Sequence, residues 1–368
     1  MVPIQTVSNR KTPLLKRVKG PHRAPTETDV AKLAGVSQSA VSRAFTPGAS
    51  VAKKTRERIL EAAKTLGYQT NLMARSLATR RSNIIALAIS NLENPFYAQV
   101  AKELSERLRD TGRHILLFTT SGDGTADSEL EKVLSYQVDA LILTATIPSR
   151  ELTEQCRKNA IPIVQINRES KISGISTVRG ENQRAAEQVA EFLIAGGHKK
   201  FGFIGGTKGS NTSQIRQDAF ADHLKILGFP SLQIAYGDYS FQGAAAATRE
   251  LLSSNDPVDA IFCASDYMAF AALDVVKREF GLSVPDDISI VGVDDVPEAS
   301  HSAYDLTTYS QPAASLAEEA IKIIDQQIAQ PGRRAQRREV RGQLILRGST
   351  RLPDHSVFTI DGKKTWQS

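Results

Sequence analysis

The sequence predicts an α/β protein in two unequal parts, a small all-helical head and a two-lobed body of doubly wound parallel sheets, linked by a short joining helix. Three observations carry this. Charge divides near residue 82, a helix–Gly–helix pattern opens at Thr26, and from Asn83 short β-rich runs alternate with amphipathic helical stretches. The 368 residues carry 46 Lys+Arg against 40 Asp+Glu, a formal +6. Residues 1–82 hold 16 of those bases and only Glu27, Asp29, Glu57 and Glu61 as acids, or +12, which leaves −6 on the remainder. A basic head of this kind is the electrostatic footprint of a polyanion binder, although a solvated basic surface gives the same count. No apolar run reaches the about 18 residues a membrane span needs. The basic start lacks an apolar stretch of signal-peptide length, which argues against secretion. Two cysteines, Cys156 and Cys263, cannot build a disulfide framework and suit a reducing cytoplasm.

In the head, Thr26 precedes ETDVAKLA, with a carboxylate, Asp29, in the first turn to meet free amides and the helix dipole. Val30, Leu33 and Ala34 mark the expected apolar stripe, and Gly35 stops the helix. Ser37 caps a second short helix, QSAVSRAF, and the pair matches a helix-turn-helix unit. Val36, Val41 and Phe45 are expected inside; Gln38, Ser39, Ser42 and Arg43 face out. After Pro47-Gly48, a third helix is expected over Lys53–Leu66, with Ile59, Ala62, Ala63 and Leu66 inward and Gly67 at its end. Lys53, Lys54 and Arg56 at its start oppose the helix dipole, which suggests phosphate contacts. Next, Asn71 can cap a short helix through Leu77, too small to be stable alone and suited to a conditional hinge or a plain linker.

In the body, IIALAIS, HILLFTT, VDALILT, IPIVQI, KFGFIGG, DAIFCAS and ISIVGV read as strands. Helical stretches fall at 97–111, 181–195, 218–227, 244–253 and 267–280. Such alternation, with near-continuously apolar strands, argues for parallel sheets covered on both faces. About 265 residues suit two similar subdomains with a cleft between them. A nucleotide-binding enzyme is disfavoured: Gly205-Gly206-Thr207-Lys208-Gly209 lacks the dinucleotide spacing, no Walker motif exists, and the six histidines are scattered, with no metal-ligand spacing. No cofactor, metal site or catalytic constellation is expected.

The run TDVAKLAGVSQSAVSRAF…VAKKTRERILEAAKTLGYQTNLMARSLATRRS resembles the DNA-binding head of the lac repressor family. NPFYAQV, ENQRAAEQVAEFLIAGGHKKFGFIGG, RQDAF, IFCASDYMAFAAL, GLSVPDDISIVGVDD and LTTYSQP resemble its effector domain, which is similar to periplasmic sugar-binding proteins. Ala40, Thr46, Ala86 and Tyr304 depart from the family's usual Thr, Asn, Gly and Pro. The basic extension over 1–25, longer than the family's usual few residues, is expected to be disordered, and the tail over 352–368 to leave Trp366 exposed. The resemblance implies a DNA-binding domain over 26–70, a hinge helix and linker over 71–82, and a two-lobed effector and dimerisation domain over 83–351. It implies a cytoplasmic repressor without enzymatic activity or membrane attachment, binding double-stranded, near-palindromic operator DNA under control of a sugar or sugar acid. A soluble carbohydrate-binding module is the alternative. Lacking a leucine heptad after Arg351, the chain is expected to form a homodimer.

By the same resemblance, Gln38, Ser39 and Arg43 read base edges, where Arg43 suits guanine and Gln38 adenine. Leu77 wedges into the minor groove, Ala74 leaves room for a paired hinge helix, and Asn71 and Arg75 contact groove or backbone. Thr26, Ser42, Lys53 and Lys54 complete the DNA-contact candidates. In the cleft the resemblance implies Arg216, Asp294, Ser265, Tyr239, Ser210, Thr212, Phe96, Tyr97 and Arg168 as effector-binding. Asp266 is expected to cap a helix, with Ser265 nearer the ligand. Two cleft arginines favour an anionic effector unless Glu181 neutralises one.

Overall fold

The computed structural model describes residues 23–46, 48–69, 81–120, 126–168 and 172–366, with 126–129 as backbone. The chain divides into two units, 1–80 and 81–368. Most of the N-terminal extension and the joining segment, with Asn71, Ala74, Arg75 and Leu77, lie outside the described residues.

The head holds α1 (Glu27–Ala34), α2 (Gln38–Phe45) and α3 (Lys53–Leu66). The Thr26 N–H and hydroxyl both donate to the Asp29 carboxylate, at 2.9 and 2.7 Å, and hold its pKa down to about 2. Ser37 accepts from the Ala40 N–H at 3.2 Å. Gly35 and Gly67 end their helices at φ of 60° and 67°, the left-handed region that favours glycine. Val30, Val41 and Ile59 form a fully buried centre, and Ala31, Ala34, Ala44, Ala62 and Ala63 let the helices close on it. Leu33 corrects the expected stripe: it is 54% exposed, because α1 packs through Val30, Ala31 and Ala34 instead. Arg56 is the second correction. Its guanidinium donates to the carbonyls of Ala44 and, at 2.9 Å, Ala49, so it ties down the loop after α2 instead of facing outward.

In the body, lobe 1 begins with β1 (Ile84–Ile89), α4 (Pro95–Asp110), β2 (His114–Thr119), α5 (Ala126–Leu134), β3 (Ala140–Thr144), α6 (Arg150–Lys158), β4 (Ile163–Ile166) and β5 (Ser176–Gly180). Lobe 2 follows with α7 (Asn182–Ala195), β6 (Phe201–Gly205), α8 (Asn211–Ile226), β7 (Leu232–Tyr236), α9 (Phe241–Leu252), β8 (Ala260–Cys263), α10 (Asp266–Asp274), β9 (Ser289–Asp294) and β10 (Thr307–Ser310). The chain then returns to lobe 1 for α11 (Ala313–Ala329) and β11 (Arg337–Val340), and finishes in lobe 2 with β12 (Leu344–Ile345), β13 (Val357–Ile360) and β14 (Lys363–Trp366).

Lobe 1 is a six-stranded parallel sheet ordered β2-β1-β3-β4-β5-β11. Lobe 2 repeats the pattern as β7-β6-β8-β9-β10, all parallel, then adds β12, β14 and β13 antiparallel. Both sheets reverse direction of growth beside their first strand, the switch point where doubly wound folds open a crevice at strand C-termini. Each strand expected from the sequence forms, and most are buried on both faces.

The C-terminal segment corrects its description as a tail. β13 and β14 extend the lobe 2 sheet, and Trp366, only 3% exposed, packs edge-on against Phe192 at 5.8 Å. Their turn is Asp361-Gly362, both at positive φ (49° and 75°), as two-residue hairpins require. Ala86 is fully buried in β1, and Tyr304 stacks on Phe270 at 4.1 Å.

Candidate functional site

On the head, Gln38, Ser39, Ser42 and Arg43 are all exposed along α2, and Lys53 and Lys54 are exposed where α3 begins. These exposed side chains offer an amide, two hydroxyls, a guanidinium and two ammonium groups. Base edges pair with such donors and acceptors, and phosphates accept from the donors. Thr26 is engaged in the cap with Asp29.

In the body, a cavity of about 340 Å³ opens at the strand C-termini between the lobes. The structure brings all nine sequence-predicted effector residues to it. From lobe 1 come Phe96 and Tyr97, where Asn94 caps α4 by accepting from the Phe96 N–H, and Arg168, just after β4. Lobe 2 supplies Ser210, Thr212 and Arg216 from the start of α8, Tyr239 after β7, Ser265 after β8 and Asp294 ending β9. Lining residues that the sequence reading passed over include Asn91, Lys208 and Gln311. Among the described residues two hydrogen bonds span the cleft: the Thr212 hydroxyl donates to the Asn167 carbonyl at 2.6 Å, and the Asn91 amide to the Tyr239 carbonyl at 3.3 Å. Gly206 lets the Tyr239 ring lie where it does, since a Cβ there would stand 2.0 Å from the ring.

The cleft's charges are arranged differently from expectation. Arg216 is buried, and two of its nitrogens already donate inside the protein, to Asn182 Oδ1 at 2.9 Å and the Ala264 carbonyl at 2.5 Å. Its acidic counterpart is Asp294, not Glu181, which is absent from the cavity wall. Burial pushes the Asp294 carboxyl up to about 7, against the opposing pull of Arg216 and a 2.6 Å hydrogen bond from the Gln311 amide. The backbone of Asp294 has φ of 135°, a strained value for a non-glycine residue of the kind that gathers at functional sites. Arg168 donates to the Ala145 carbonyl, while its Nε is buried without a partner among the described residues.

Ser265 takes the capping role expected of Asp266 and keeps its own expected place at the cavity. Ser265 caps α10 by accepting from the Met268 N–H at 3.3 Å, and still lines the cavity. Asp266 lies beneath, fully buried, accepting from the Thr308 hydroxyl at 2.5 Å and the Val296 N–H at 3.0 Å. Burial and the neighbouring Asp294 raise its pKa well above the usual carboxylate value. Gly292 makes this possible, because a Cβ there would meet Asp266 Oδ1 at 2.2 Å.

His198 Nε2 lies 2.7 Å from Ser289 Oγ and its Nδ1 3.4 Å from Asp259, the residue types of a hydrolytic triad. Ser289 is fully buried and also accepts from the Arg351 N–H at 3.0 Å, so this trio ties β9 to its neighbours and presents no accessible nucleophile. Among the described residues no cluster of His, Cys, Asp or Glu is placed to hold a metal, and no helix is long and apolar enough to cross a membrane. Cys156 and Cys263 are both buried and unbridged.

A three-helix head with an exposed polar recognition face, attached to a two-lobed body with a cleft, defines a ligand-responsive DNA-binding regulator. Residues 26–71 match the family described as bacterial regulatory proteins, lacI family, and residues 190–350 match the periplasmic binding protein-like domain. The ribose operon repressor of Escherichia coli (strain K12) is 30% identical over 330 residues, 88% of this chain and 99% of the repressor. The transcriptional repressor CytR of the same strain is 29% identical over 342 residues, covering 91% and 99%. The solved complex of the regulator CelR with cellobiose is 30% identical with a TM-score of 0.66, covering 88% of this chain and 99% of CelR. The chain belongs to the lacI family. It is a sequence-specific DNA-binding transcriptional regulator.

Proposed function

We propose that this regulator is a homodimeric, cytoplasmic repressor whose grip on a near-palindromic operator is set by a saccharide held between its lobes. The observation that carries the reading is the meeting of all nine candidate residues in one inter-lobe cavity. CelR, 30% identical, is solved with cellobiose. Tyr97 and Tyr239 supply aromatic surface for the apolar face of a sugar ring, while Arg168, Ser210, Thr212, Ser265 and Asp294 supply donors and acceptors for hydroxyls. Asp294, with its carboxyl pushed up to about 7, offsets Arg216 only in part, and Arg168 and Lys208 also line the wall, so the site suits a neutral sugar or a sugar acid.

On the head, Arg43 and Gln38 contact bases, with Ser39 and Ser42 beside them and Lys53 and Lys54 on phosphates. The joining segment, through Asn71, Ala74, Arg75 and Leu77, carries the ligand's effect to DNA. Dimerisation is supported by apolar side chains left open on one edge of each sheet, Leu117 on β2 (48% exposed) and Ile234 on β7, together with Ile226 and Leu227 at the end of α8. An effector acts by binding the DNA-competent and DNA-incompetent forms unequally.

The test is a thermal-shift screen of neutral sugars and sugar acids, followed by operator titration with each hit. A saccharide that raises Tm and changes operator affinity is expected. Hits that leave operator affinity unchanged would reduce the body to a binding module. Replacing Arg43 with Ala is expected to relax base preference by about 1–3 kcal/mol at fixed salt.

A further inference from the structure

A second cavity, of about 990 Å³, lies on lobe 1 at the opposite end of the strands from the cleft. Its walls are α6, the Ile161–Ile163 stretch that opens β4, and residues 331–335, which follow α11. Four arginines line it: Arg150, Arg157, Arg333 and Arg334. Among the described residues the one acid lining it, Glu154, is held by Arg157 through two hydrogen bonds of 2.6 and 2.7 Å. Arg157 also suits the negative end of α6. Neither explanation covers Arg150, Arg333 and Arg334, which form no ion pair among the described residues. They are gathered on a body whose residues beyond 82 sum to −6, so basic composition does not account for them. Ile161, Pro162 and Ile172 give the same cavity an apolar wall.

Guanidinium groups present planar forks of donors that match phosphate oxygens, and several together exceed what one carboxylate ligand needs. An apolar wall beside them suits a flat ring carried by the same molecule. We propose that this cavity binds a small phosphorylated ligand of the nucleotide class, with two or more phosphates on the arginines and its ring on the isoleucine wall. The site is separate from the saccharide cleft but mechanically joined to it. The 17-residue helix α11, about 25 Å long, runs from one to the other. Just before it, Gln311 bonds Asp294 in the cleft; at its far end Gln327 and residues 331–335 line the arginine cavity. A ligand that clamps Arg333 and Arg334 therefore restrains the end of a helix whose start sits between the lobes.

The test is isothermal titration of the full-length protein with inorganic pyrophosphate and with ADP, at fixed ionic strength. Both are expected to bind once per chain, ADP at least tenfold more tightly. The double variant Arg333→Gln/Arg334→Gln is expected to weaken ADP at least tenfold, and Arg150→Gln separately several-fold. Because these residues are exposed, Tm and affinity for a minimal operator duplex should be unchanged. Absence of binding at millimolar concentrations, or binding that the double variant leaves intact, would overturn the site. Equal affinity for both probes would overturn the nucleotide class. If the double variant instead lowers affinity and salt dependence only on duplexes with long flanks, the arginines serve DNA phosphodiesters and the proposal fails.

Discussion

Replacing Asp294 with Asn should flatten the dependence of the body's stability on pH. Burial raises the Asp294 carboxyl to about 7 from 3.8, so between those values the folded state holds a proton that the unfolded chain has released. Stability from this group is therefore fully present below about pH 4 and is lost as pH rises toward 7. Each pH unit inside the window is worth at most about 1.4 kcal/mol, so the span from pH 5 to pH 7 removes up to about 3 kcal/mol. At roughly 2 °C per kcal/mol for a unit of this size, the expected fall in Tm is about 6 °C or less. Asp266 adds a loss of the same sign. Asn keeps an oxygen for the Gln311 amide but cannot titrate, so the variant should shed the share due to Asp294 and retain that of Asp266. Differential scanning calorimetry of ligand-free protein, wild type and variant, at half-unit steps from pH 5 to pH 8, measures this. Parallel curves for the two proteins would refute the assignment of the proton to Asp294.

Further expectations concern single side chains. A methyl group at residue 206 would overlap the Tyr239 ring by more than 1 Å, given the 2.0 Å approach to the ring and an ordinary contact of about 3.4 Å. Gly206→Ala should therefore weaken any saccharide hit about tenfold or more in calorimetric titration while moving Tm little, because the ring can swing into the cavity. Arg56→Met removes the ties to the Ala44 and Ala49 carbonyls. It should cost the head about 1–3 kcal/mol and lower operator affinity, read by circular dichroism melting and mobility shift. Trp366→Ala should destabilise the body by about 3–5 kcal/mol in calorimetry, since the indole is buried against Phe192, yet leave base preference intact.

Local signals in the sequence were enough for much of the fold. Gly35 and Gly67 end helices because only a left-handed residue suits those positions, and most of the apolar runs, HILLFTT at the sheet edge excepted, are strands covered on both faces. The cleft residues were legible through the family resemblance, whose motifs fall at the ends of strands that the apolar runs mark out. What escaped was set by tertiary partners. Leu33 lies outside because alanines, not a leucine, allow α1 its closest approach to the other helices. Arg56 turns inward to carbonyls that no local pattern announces. Asp266 turns inward and leaves the cap to Ser265 because Thr308 and Val296 reach it from 30 and more residues away. The C-terminal hairpin was readable in principle, since Asp361-Gly362 between the β-prone runs VFTI and KKTW is a strong two-residue turn signal.

The order in which the chain visits its lobes has a consequence for synthesis. Lobe 1 closes its sheet only when β11 pairs with β5, and Arg337 meets Thr177 across 160 residues of intervening chain. At translation speeds of about 5–20 residues per second, β5 waits roughly 10–30 s on the ribosome with one edge unpaired. Open strand edges are templates for the wrong partner. The nascent regulator thus passes through a defined interval, after lobe 2 has begun and before α11 and β11 emerge, when chaperone protection matters most. A stop codon anywhere between residues 181 and 336 would leave lobe 1 in that state permanently.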